Sequence, residues 1–135
     1  MATKEIIPEG QIKPYPKDKE PKDPIELPPG FEWDSFDIMD DTVATEIIDF
    51  LNQHYVSDAN GLFILKYTIE KFRYIMCPPG WVKDLHYCVR SSKNKKVMAV
   101  FMSTPKKFLL FNEQKYMNET NFLAVHEKLR GKRLA

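Results

Sequence analysis

Apolar positions change their period twice along this chain. From Met1 to Pro29 there is no period: charges and prolines dominate, and large apolar residues are scattered. Pro28-Pro29-Gly30 mark a turn ahead of an aromatic stretch, Phe31-Glu32-Trp33. Val43, Ile47, Phe50, Leu51 and Tyr55 then recur at helical spacing behind Asp40-Asp41-Thr42, whose short side chains suit the free N–H groups of a first helical turn. This predicts an amphipathic helix. Ser57-Asp58-Ala59-Asn60-Gly61 reads as a loop. A second helix is expected from Thr68 to about Cys77, with Ile69, Phe72, Ile75 and Met76 turned inward. Pro78-Pro79-Gly80 ends it, because proline lacks the N–H that would continue the hydrogen-bond ladder.

After Trp81 the pattern becomes that of strands. LHYCVR, VMAVFMS, KFLLFN and ETNFLAVH are short, rich in branched and aromatic residues, and separated by turn-like pieces. Lys93-Asn94 should form a hairpin and Thr104-Pro105 the next corner. Connections this short favour antiparallel neighbours, since parallel pairing needs a long crossover. The expected class is α+β, two helices followed by a mainly antiparallel sheet.

Composition sharpens the boundaries. Seven of the ten prolines lie in Met1–Pro29, which has too little apolar surface to fold alone. Residues 1–26 are therefore expected to be disordered or an extended arm lying on another surface, and residues 27–135 to form one domain. The 20 cations and 19 anions nearly cancel, so no strong field calls for nucleic acid or a membrane as an obligate partner. No apolar run approaches the ~20 residues of a membrane span, and the N-terminus lacks the apolar core of a signal peptide. A cytoplasmic protein without a transmembrane segment is expected. Cys77 and Cys88 are too few for a disulfide framework. His86-x-Cys88 lacks the second pair that zinc requires, so no metal is expected and two buried or half-buried thiols are.

The chemistry gathers at the end. Asn121–Ala135, NFLAVHEKLRGKRLA, is an apolar strand running into Lys128, Arg130, Lys132 and Arg133. Such a basic end is either a solvated tail or half of an anion site. Arg130-x-x-Arg133-x-Ala135 is similar to the pyrophosphate loop of GCN5-related acyltransferases. There, successive backbone N–H groups point into one concavity, and small residues let a phosphate approach.

Five pieces occur in a telling order: Pro29–Trp33, Leu51–Val56, Phe63–Tyr67, Pro78–Trp81 and Asn121–Ala135. Together they resemble the N-terminal half of the glycylpeptide N-tetradecanoyltransferase (N-myristoyltransferase) family, across about Leu27 to Ala135. Lys13–Lys17, KPYPK, is similar to part of the family's N-terminal arm. The resemblance implies a GCN5-related acyltransferase-like fold and transfer of myristate from myristoyl-CoA to an N-terminal glycine amine. No prosthetic group is implied, since myristoyl-CoA is the acyl-donor substrate. By the same resemblance, the backbone amides of Phe122 and Leu123 would form the catalytic oxyanion hole, and both residues with Ala124 and Val125 would contact the donor. Gly131, Arg133, Leu134 and Ala135 would hold the pyrophosphate. Tyr55, Val56, Asp58, Phe63 and Tyr67 would meet the glycylpeptide.

The chain departs from the family pattern at several places. Glu9 and Gly10 stand where the family's arm carries Phe-Trp, Ala124 where Cys is usual, and Gly131 where Ser is usual. The acidic loop after Val56 keeps one carboxylate, Asp58, while Leu65 and Lys66 replace Phe and Asp. The sequence ends inside the phosphate motif, so the peptide groove and the family's terminal carboxylate base would lie outside these residues. The expectation is an N-myristoyltransferase-like domain inactive by itself. The alternative is a non-catalytic homologue that binds acyl-CoA or a protein partner. Nucleic-acid binding by KLRGKR is not expected, given the neutral charge and the lack of a recognised module.

Overall fold

A computed structural model describes residues 16–56 and 65–131. The expected loop at Ser57–Gly61 and most of the arm lie outside those residues. So do Asp58, Phe63, Lys132, Arg133, Leu134 and Ala135. The first described residues contain a single 3₁₀ turn, Lys17–Lys19.

Both helices form where the apolar period places them. Helix α1 spans Asp41–His54, and the Asp40 carboxylate accepts from the N–H groups of Thr42 and Val43. Its inward face is Ala44, Ile47, Ile48, Phe50 and Leu51. Helix α2 spans Ile69–Met76; Thr68 caps it, its hydroxyl accepting from the Lys71 N–H, and Cys77 ends it. Phe72 and Met76 are buried, while Ile69 and Ile75 pack at the margin of the core. Each cap satisfies backbone donors that a helix start leaves open, worth about 1 kcal/mol apiece.

The sheet has four antiparallel strands in chain order: β1 (Phe31–Ser35), β2 (His86–Ser91), β3 (Val97–Leu110) and β4 (Glu113–Val125). Two strand expectations need correcting. The aromatic stretch after Gly30 is itself a strand, preceding the helices and pairing with β2 from Phe31↔Ser91 to Ser35↔Tyr87. The helices are therefore inserted between two neighbouring strands and do not come before the whole sheet. Nor is there a corner at Thr104-Pro105: VMAVFMS and the KFLL of the next piece lie in one continuous strand, and Pro105 pairs with Asn118 in its middle. Pairing between β2 and β3 stops at Met102, so beyond that point one side of β3 carries no ladder. A proline costs little there, because its missing N–H can fall on the unpaired side. The chain turns instead at Phe111 and Asn112. The hairpin at Lys93-Asn94 forms as expected, closed by Lys95 N–H to Ser91 O at 2.8 Å and Ser91 N–H to Lys96 O at 3.0 Å.

Both helices pack on one face of the sheet, against Cys88, Val100, Met102, Phe122 and Ala124. Cys88 is buried and Cys77 half-buried, as the sequence suggested. Burial pushes the Cys88 thiol up to about 12. The opposite face carries an apolar groove of about 250 Å³ between Trp33, Tyr87, Phe101 and Leu123.

Arg90 ties three elements together. Its Nε donates to Asp34 Oδ2 at 2.6 Å, its two terminal nitrogens grip Glu46 at 2.8 Å each, and one of them also reaches the Lys95 carbonyl at 2.8 Å. The planar guanidinium suits this forked task better than an ammonium would.

Candidate functional site

The strand β4 is interrupted just before the proposed oxyanion residues. Met102 pairs with Phe122 but Ser103 with Thr120, leaving Asn121 as an extra residue without a partner across the ladder. A β-bulge of this kind bends the strand and re-aims nearby groups. Phe122 and Ala124 point into the helix-covered core, whereas Leu123 faces outward and is half exposed. As the last strand of the sheet, β4 pairs only with β3 among the described residues.

The bulge is held from both sides of its peptide. Tyr55, the residue that ends α1, donates its hydroxyl to the Asn121 carbonyl at 3.0 Å. In a trans peptide the N–H of the next residue points opposite to that carbonyl, so this bond also sets the direction of the Phe122 N–H. The Asn121 side-chain amide donates to Thr104 Oγ1 at 3.4 Å and to Glu119 Oε2 at 3.2 Å. Glu119 is in turn ion-paired with Lys106, which together with the Asn121 amide holds its carboxyl below the usual range. Thr104 is completely buried.

Around Phe122 the rings of Tyr55, Tyr67 and Phe72 each lie at 5.3 Å, with Tyr67 edge-on. The Tyr67 N–H donates to Asn52 Oδ1 at 3.2 Å, linking the start of α2's approach to α1. Burial, and secondarily Tyr55, raises the Tyr67 phenol. Two residues that resemblance assigned to peptide contact, Tyr55 and Tyr67, are thus brought onto Phe122; Val56 sits exposed just beyond Tyr55.

The basic end begins with a 3₁₀ turn, Glu127–Leu129, capped by His126 Nδ1 accepting from the Lys128 N–H at 3.3 Å. Arg130 folds back over this turn. Its Nε donates to the Val125 carbonyl at 3.1 Å, and a terminal nitrogen donates to the carbonyl of His54, the last residue of α1. It thereby satisfies a carbonyl that the helix leaves open. The His54 and His126 rings lie 4.2 Å apart. Burial lowers the His54 pKa, helped by His126 and Arg130 and opposed by Glu127. Gly131 follows at φ 77°, a left-handed conformation that suits glycine and turns the chain. The three histidines are poor candidates for a base: two lie ring against ring in a tilted pair and the third, His86, is fully buried.

Sequence reasoning did not single out Asn121, Glu119 or Thr104. An asparagine inside an otherwise branched and aromatic strand was the available signal, since asparagine is disfavoured in regular ladders.

Residues 11–135 match the family described as Myristoyl-CoA:protein N-myristoyltransferase, N-terminal domain. Among curated relatives, the glycylpeptide N-tetradecanoyltransferase of Aspergillus fumigatus is 37% identical over 125 residues, covering 93% of this chain and 25% of that protein. The Candida albicans glycylpeptide N-tetradecanoyltransferase is 41% identical over 117 residues, covering 85% of this chain and 26% of the relative. Saccharomyces cerevisiae N-myristoyltransferase, crystallised with bound myristoyl-CoA, superposes with a TM-score of 0.86 at 34% identity, over 97% of this chain and 30% of that one. The chain thus spans roughly a quarter to a third of the length of the proteins it matches. With the family matched over nearly all of its residues, the chain belongs to the N-myristoyltransferase family, through that family's N-terminal domain.

Proposed function

We propose that this chain supplies the acyl-donor side of a glycylpeptide N-tetradecanoyltransferase, an acyltransferase that moves myristate from myristoyl-CoA to an N-terminal glycine. The observation that carries the proposal is the bulge at Asn121, with its carbonyl held by Tyr55 directly before Phe122 and Leu123. Amides at such an irregularity can both turn toward a single oxygen, which the strict alternation of a regular strand prevents. Fixed in that way, they stabilise the negative charge that develops on a thioester carbonyl under attack. Losing one donor of this type typically costs about 10²–10³ in rate.

In this reading Phe122, Leu123, Ala124 and Val125 line the thioester and pantetheine arm. The left-handed turn at Gly131 leads into Arg133, Leu134 and Ala135 at the pyrophosphate. Tyr55, Val56, Asp58, Phe63 and Tyr67 lie toward the glycylpeptide. The fold is of the GCN5-related acyltransferase type and works in the cytoplasm, with residues 1–26 as an arm and 27–135 as the domain. Arg130 is a structural clamp between β4 and α1, leaving the phosphate contacts to the residues after it.

Binding and chemistry should separate in the 135-residue chain. A protonated glycine amine is no nucleophile, and no described residue is placed as its base. Calorimetric titration with myristoyl-CoA and with free coenzyme A tests the donor side. The acylated ligand should bind more tightly, since each buried methylene adds about 0.8 kcal/mol. Equal affinity for the two, or no binding of either, would refute the assignment. A glycylpeptide acylation assay should show no turnover by this chain alone; turnover near that of a full-length family member would place a base among these residues.

A further inference from the structure

The ladder of β3 and β4 outruns the rest of the sheet. Beyond Met102 the two strands pair only with each other, down to Leu110↔Glu113. The end of this ribbon carries large apolar side chains in solvent: Leu109 is 69% exposed, Phe111 59% and Tyr116 79%. Folding does not account for the residue at its apex. Phe111 and Asn112 close a two-residue turn at φ 49° and 63°, the positive pair characteristic of type I′ turns. Asn-Gly and Asp-Gly suit that turn, and a bulky side chain there is strained. The ribbon tolerates that strain and holds an aromatic ring at its outermost point.

We propose that the β3–β4 tip docks into the interface of an anionic lipid bilayer. Its side chains are graded with distance from the apex. On the β3 side Leu109, Leu110 and Phe111 come first, an apolar edge as deep as the ~5–10 Å that interfacial segments bury, while Asn112, Glu113 and Gln114 face them on the β4 side. The next rungs hold Lys115 opposite Phe108 and Lys107 opposite Tyr116, with the Lys107 ammonium 5.9 Å from the Tyr116 ring centre. At 3.3 Å per residue these rungs lie about 10–13 Å behind the apex, where headgroup phosphates would meet them. Tyrosine and lysine are side chains that bury an apolar body while keeping a polar end in water. Glu113, the acid near the apex, lies 3.3 Å from Lys115, so these two charges offset each other and Lys107 carries the tip's net positive charge. Lys107 forms no ion pair among the described residues.

The test is co-sedimentation of the full 135-residue chain with vesicles of equal parts phosphatidylcholine and phosphatidylserine, and with phosphatidylcholine alone. The chain should partition onto the anionic vesicles, and the double variant Phe111→Asn/Leu109→Ser should bind at least about tenfold more weakly. Asparagine suits the turn, so this variant should melt no lower than the parent, separating loss of binding from loss of fold. Lys107→Gln should reduce the preference for phosphatidylserine about fivefold. Three results would each overturn the proposal. One is the parent chain staying in the supernatant while both kinds of vesicle pellet. Another is the double variant binding as the parent does, which would assign binding to another part of the chain. The third is self-association through the tip in sedimentation velocity without vesicle binding, which would make a second copy its partner.

Discussion

The Tyr55 hydroxyl and the Asn121 carbonyl, 66 residues apart in sequence, meet at 3.0 Å and join the end of α1 to the bulge of β4. The bond fixes a peptide plane in a strand that has lost its regular partner at that point. Replacing Tyr55 by Phe keeps the ring against Phe122 and removes only the donor. It should lower stability by about 1 kcal/mol and speed hydrogen exchange at the Phe122 amide beyond that of Ala99 or Val100. Equal acceleration at all three amides would mean that the bond stabilises the fold without orienting this peptide.

His86 makes acid stability predictable. It is fully buried, stacked between Phe36 at 5.9 Å and Trp81 at 5.5 Å, and neither ring nitrogen has a partner. Burial lowers its pKa from 6.5 to about 4, against a smaller opposing pull from Asp37. A depressed folded-state pKa means that the unfolded chain takes up the proton first as pH falls. The stabilising contribution is therefore complete above about pH 6.5 and is lost on the way down to about pH 4, on the order of 3 kcal/mol in all. His86→Phe preserves the stack and removes the titration. Chemical denaturation at pH 7 and pH 4.5 (just above that window and near its foot) should show a clearly smaller loss for the variant. Parallel losses in both proteins would shift the effect to other groups.

Arg90 should be the most sensitive charged position in the described fold. Its side chain is only 14% exposed and contacts β1, α1 and the β2–β3 turn. Arg90→Ala removes the shared partner of two carboxylates and should cost about 2–3 kcal/mol in urea denaturation. Arg90→Lys should recover only part of that, because an ammonium cannot bridge Asp34 and Glu46 with the same fork. A loss no larger than that of the exposed control Lys93→Ala would contradict this.

Arg133, beyond the described residues, carries the phosphate prediction. Arg133→Ala should weaken coenzyme A binding about tenfold or more and flatten its dependence on salt, as expected for a charge-assisted contact worth about 1.5–3 kcal/mol. Unchanged affinity and salt response would leave this cation in solvent.

How far the fold could be read from sequence follows from the range of each signal. The helices were legible because capping and the apolar period are local: Asp40 and Thr68 act within three residues. Strand β1 was missed because its five residues, FEWDS, are only a fragment of an alternation, and its partner lies beyond both helices. Pro105 misled because a proline reads as a break unless the neighbouring strand is known to have ended. The family blocks pointed to Phe122 and Leu123 as candidates, but not to the contacts that hold their strand. Tyr55 reads as part of the apolar face of α1 and, by resemblance, of the peptide site; its hydroxyl reaching a carbonyl 66 residues away leaves no local pattern.

The insertion of α1 and α2 between β1 and β2 bears on the order of assembly. β2, β3 and β4 are joined by tight turns and can zip from their hairpins on a microsecond scale. β1 must close a far longer loop, with Asp34 and Arg90 56 residues apart, and receives its ladder and ion pair only after that entropy is lost. Docking of β1 is then expected late in folding. Until it happens, β2 presents a bare edge able to recruit a strand from another molecule. Trp33 lies on β1 and Trp81 outside it, so a Trp81→Phe chain would report that closure through the fluorescence of a single indole.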